Sequence, residues 1–103
     1  MTQPASRWRR RGQTASGALF VLVFEAVPER GGATRTVLTF VAAGDVHSAL
    51  RRALAELAAL GWRGAELQAA KPLPADAADE PDPAARDAIV RALQSGFSLI
   101  AYG

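Results

Sequence analysis

Leu19-Phe20-Val21-Leu22-Val23-Phe24 is the stretch that decides the fold. It lies within an apolar run from Ala18 to Phe24, the longest in the chain and far short of the roughly 20 residues that span a bilayer. Six residues are strand length, and apolar side chains at both parities mean that neither face meets water. Ala18 to Val27 is therefore read as a central strand covered on both sides.

Reading outward, Pro28-Glu29-Arg30-Gly31-Gly32 has turn chemistry, with two glycines free to take positive φ. Thr34 to Ala42 is rich in β-branched residues and pairs back as the second strand of a hairpin. Asp45 to Leu60 then switches to helical spacing. Val46, Leu50, Ala53, Leu54, Leu57 and Leu60 form one apolar stripe, and Asp45 is placed to cap the first turn.

A cadence follows and occurs twice. Ala53 to Leu60 runs into Gly61-Trp62, and Ile89 to Ser95 runs into Gly96-Phe97. Each reads as a helix stopped by a left-handed glycine, with an aromatic residue opening the next strand. Trp62 to Ala70 is the third strand, alternating enough to lie at an edge. Asp82-Pro83 starts the second helix, with apolar positions Ala85, Ala88, Ile89, Ala92 and Leu93. Phe97 to Tyr102 is the fourth strand. Lys71 to Glu80 reads as a mobile, proline-flanked acidic loop pinned only by Leu73.

The expected fold is α+β, in the order β-β-α-β-α-β. It is a two-layer sandwich with a four-stranded mixed sheet and both helices on one face. The nearest familiar architecture is ferredoxin-like, whose usual order, β-α-β-β-α-β, differs. Two short helices on one face would leave the other face apolar and open, for a second copy, a protein partner or the chain's own Trp8.

A chain of 103 residues is one domain. It has no cysteine, one histidine and no asparagine, which removes disulfides and thiolate metal sites. Arginine outnumbers lysine 11 to 1, which points to a GC-rich, bacterial source. Residues 1–16 carry four arginines and no acid, whereas residues 17–103 carry 8 bases and 10 acids. The excess positive charge thus belongs to a disordered basic arm, residues 1–16, ahead of a mildly acidic domain, residues 17–103. Arg9-Arg10-Arg11 before an apolar run raises a twin-arginine export signal. Glu25 interrupts that run, and cleavage would remove the first strand, so the expected location is cytoplasmic.

Chemistry is sparse. Asp45, His47 and Ser48 are the residue types of a hydrolase triad, but side chains two apart on a helix diverge. Glu25 is the sole charge in the first strand, with Arg35 as a cross-strand partner. Tyr102 is the sole tyrosine. Glu25, His47 and Tyr102 are the polar site candidates, and no catalytic residue, metal or cofactor is assigned. Arg7, Trp8, Arg9, Arg10 and Arg11 combine phosphate-binding charge with a stacking ring and form a candidate nucleic-acid-binding segment.

The expected function is a non-catalytic protein-interaction module that self-associates as a homodimer, with no membrane contact. One alternative is an accessory protein that binds nucleic acid through the arm, and a second is a small enzyme with an unrecognised site. Trypsin is expected to remove the arm first and leave a resistant body starting near Gly12. Cleavage within residues 17–103 before any cut in residues 1–16 would contradict the two-part organisation.

Overall fold

The computed structural model describes residues 18–74 and 76–102. The basic segment 1–16 lies outside them. Among the described residues the order is β1 (Ala18–Pro28), β2 (Arg35–Ala43), α1 (Val46–Ala59), β3 (Trp62–Pro72), a 3-10 turn (Ala77–Asp79), α2 (Pro83–Ser95) and β4 (Phe97–Tyr102). The strands form one sheet ordered β3-β1-β2-β4. Every neighbouring pair is antiparallel, so the expected mixed sheet is corrected to an antiparallel one. The reason is that α1 links β2 to β3, two parallel strands that β1 separates.

The helix boundaries follow from local chemistry. Asp45 caps α1 by accepting the Ser48 N–H at 2.7 Å, and Asp82 caps α2 by accepting the Ala85 N–H at 2.9 Å. Pro83 follows the second cap, where its missing N–H costs nothing. Gly61 and Gly96 end the two helices at φ +89° and +92°, a region that penalises any residue with a Cβ.

The sheet's pleat separates β1 into two sets. Phe20, Leu22, Phe24 and Ala26 pack with Val37 and Val41 of β2 and with Ala49, Ala53 and Leu57 of α1. Leu19 and Val21 pack with Phe40 and with Ala88, Ile89 and Ala92 of α2. Alternate residues of one strand point to opposite faces. The helices therefore lie on opposite faces, and the expectation of both on one face, with its ferredoxin-like parallel, is overturned. The face expected to be open is covered by α2. The small side chains at these contacts let each helix sit close to the sheet.

Lys71 to Glu80 also differs from expectation. Lys71 and Pro72 belong to β3, and the Leu73 N–H extends the ladder to the Leu19 carbonyl at 2.8 Å. Leu73, Ala77 and Ala78 pack against the α2-side core. Prolines and acids dominate the composition there, but three apolar side chains anchor the segment. Thr39, the buried polar residue of the core, donates to the Leu22 carbonyl at 3.0 Å. The Ser98 hydroxyl donates to the Ala88 carbonyl, which ties α2 to β4.

Ala53 and Ala92 are both fully buried, one on each face. Ala53→Leu and Ala92→Leu are each expected to cost about 1–3 kcal/mol by overpacking. In the double variant the costs should add within about 0.5 kcal/mol, because the sites share no partner. Strong non-additivity in urea unfolding would place the two helices in contact.

Candidate functional site: a polar row across the sheet

Register, rather than sequence proximity, brings the polar candidates together. Glu25 on β1 lies opposite Thr36 on β2 and opposite Glu66 on β3, and Thr36 lies opposite Tyr102 on β4. Glu66, Glu25, Thr36 and Tyr102 thus form one row across all four strands. By the parity of β1 the row lies on the α2 face, beyond the residues that α2 covers. Glu25, Glu66 and Tyr102 are exposed and Thr36 is half-buried.

The sequence suggested Glu25 and Tyr102 singly. It missed Glu66 and Thr36, whose membership depends on strand order and register. Arg35 is not the partner of Glu25. It lies opposite Ala26, so its side chain is on the other face. There its Nε donates to the Tyr102 carbonyl at 3.3 Å, and its guanidinium stands 5.8 Å from the centre of the Trp62 ring. That arrangement joins β2 to the ends of both edge strands.

His47 lies apart from this row, in the first turn of α1 after the opposite end of β2. Asp45 is committed to the helix. The Ser48 backbone amide, with help from the Ser48 side chain, holds its carboxyl below the usual carboxylate value of 3.8. A depressed carboxyl stabilises the folded state at neutral pH, and that contribution is lost as pH falls through the lowered value. The Asp45-Val46-His47-Ser48 sequence is therefore a capped helix start and brings no triad together.

Clefts lie elsewhere. One of about 450 Å³ wraps the β4 edge, lined by residues that include Leu60, Arg91, Phe97 and Leu99. One of about 340 Å³ borders Arg35, Gly61 and Trp62. A third, of about 350 Å³, lies between α2 and the start of β1. None of the three is lined by Glu25, His47 or Tyr102. Among the described residues no group of three or more His, Cys, Asp or Glu is placed to hold a metal ion. No described helix is long and apolar enough to cross a membrane. The segment from Arg7 to Arg11 lies outside the described residues. No protein-family model, curated protein or solved structure matches this chain.

The row can present two carboxylates, a hydroxyl and a phenol to solvent on a rigid sheet. Like charges directly opposite on adjacent strands repel. Glu25→Lys is expected to replace repulsion by attraction and stabilise the fold by about 0.2–1 kcal/mol. The gain should shrink as salt rises, because exposed charges are screened. A loss of stability in urea unfolding at low salt would contradict this reading.

Proposed function

We propose that this chain is a protein-interaction module that self-associates through the outer edge of β3. The observation that carries the reading is the condition of that strand. It has 11 residues at the sheet edge, and from Glu66 to Pro72 every one is exposed. A long edge strand offers unpaired backbone donors and acceptors to another strand.

An apolar strip runs beside it. Ala49, Ala53 and Leu57 turn α1 toward the sheet, and Val46, Leu50 and Leu54 follow at intervals of four, one step around the helix. On the opposite flank of α1, Arg52 reaches Gly96, the residue before β4; its Nη1 lies 3.4 Å from where a Gly96 Cβ would stand. The row of Val46, Leu50 and Leu54 therefore borders β3. Val46 is 46% exposed, Leu54 41% and Leu67 of β3 43%. Leu67 lies opposite Phe24, hence on this same α1 face. An apolar strip flanking an unpaired edge is a surface that association would cover.

The register of β3 against β1 shifts at Gln68, between the pairs Val23–Ala69 and Phe24–Leu67, and this irregularity puts Glu66 and Lys71 on one face. A twofold axis at that point, between Gln68 and Ala69, would set Glu66 opposite the partner's Lys71 at both ends and Leu67 opposite the partner's Ala70. Glu66 and Lys71 share one face, since they lie opposite Glu25 and Val21 of β1. The pairing is self-complementary in charge, as a symmetric dimer requires.

Light scattering on the full chain is expected to show a dimer at about 100 μM, where a contact worth about 5.5 kcal/mol is half-formed. Leu54→Asp combined with Leu67→Asp should give a folded monomer. A monomeric wild type at that concentration would end this proposal, as would a double variant that still dimerises.

A further inference from the structure

We infer that the apolar cleft between α2 and the start of β1 is the docking site for residues 7–11 of the same chain, with Trp8 as the inserted side chain. The cleft holds about 350 Å³, within the size range of natural ligand clefts. Its walls are Leu19, Leu73, Ala77, Ala78, Ile89 and Leu93, with Ala18 and Pro74 at the margin. Among the described residues no charged side chain lines it. Leu93 is 60% exposed, the most open of the large apolar side chains among the described residues. This cleft is separate from the β3 edge and from the polar row.

Three observations select the occupant. The first is tethering. Ala18 lines the cleft, and Trp8 lies ten residues before it. Ten residues reach up to about 33 Å, so the segment can fold back without strain. A short tether also gives an effective concentration in the millimolar range, which lets a weak contact close. The second is charge. Residues 73–90 carry Asp76, Asp79, Glu80, Asp82 and Asp87 against one base, Arg86. The Arg86 guanidinium is drawn to the Glu80 carbonyl at 3.1 Å. The segment Arg7-Trp8-Arg9-Arg10-Arg11 carries four positive charges. The third is shape. Asp76 and Asp79 stand immediately before and at the end of the turn that supplies Ala77 and Ala78, so the chain places acids next in sequence to the apolar floor. One ring flanked by arginines complements that pattern, with apolar insertion at the centre and ion pairs around it. Other than Met1, Trp8 is the only large apolar side chain in residues 1–16.

The test reads Trp8 in the full-length protein as the fluorescence difference between wild type and Trp8→Phe, which leaves Trp62 unchanged. Trp8 is expected to be blue-shifted and several-fold less quenched by acrylamide than in denaturant. Leu93→Asp, at an exposed position, should restore full quenching while circular dichroism remains native. Amide shifts on deleting residues 1–16 should cluster at Leu19, Leu73, Ala77, Ala78 and Leu93. A Trp8 as quenchable in the native protein as in denaturant would overturn the inference. So would shifts that avoid the cleft. Protection that grows with protein concentration would assign the cleft to a neighbour's segment and overturn docking within the chain.

Discussion

The fold answers to one constraint, a central strand that carries large apolar side chains on both faces. Leu22, Phe24 and Ala26 on one side of β1, and Leu19 and Val21 on the other, are buried. Neighbouring strands protect only the strand's edges. Each face needs its own cover, and among the described residues two helices supply it. α1 covers one face as it carries the chain from β2 to β3. α2 covers the other as it carries the chain from β3 to β4, at opposite edges of the sheet. Each helix meets the sheet through alanines, with Leu57 and Ile89 as the larger buried contacts.

The elements were legible because their signals are local. Asp45, Asp82-Pro83, Gly61 and Gly96 each act within one helical turn, and the structure starts or stops helices there. The side of the sheet each helix occupies was not legible. An alanine-rich stripe names a buried face without naming its partner. Val46, Leu54 and Leu60 belong to the apolar stripe read from spacing, yet each is more than 40% exposed, because the contact is centred on Ala49 and Ala53. The segment from Lys71 to Glu80 was misread for a related reason: its prolines and acids outweigh the three side chains that dock.

The polar row shows the same limit at the level of function. Arg35 was placed opposite Glu25, and a one-residue difference in register moves it to the other face. Glu66 could not be joined to Glu25 until β3 was known to pair with β1 rather than with β2. A sheet gathers residues by register, and register is set by the turn and by both buried faces together. The β3 edge and the cleft beside α2 arise likewise from the way two short helices divide a four-stranded sheet. Each helix leaves part of its face bare, and the proposed contacts lie at those margins.

The most direct test is the distance between the two helices. The chain has no cysteine, so spin labels at Arg51→Cys on α1 and Asp87→Cys on α2 report without interference. Both positions are exposed. Helices packed side by side have axes about 8–10 Å apart. A sheet between them roughly doubles that separation, since each layer of packing adds about 10 Å. Pulsed dipolar spectroscopy on the dilute, monomeric protein is expected to give a single distribution centred beyond about 20 Å, with the labels pointing away from each other. A distribution centred near the side-by-side spacing would put both helices on one face and contradict the account.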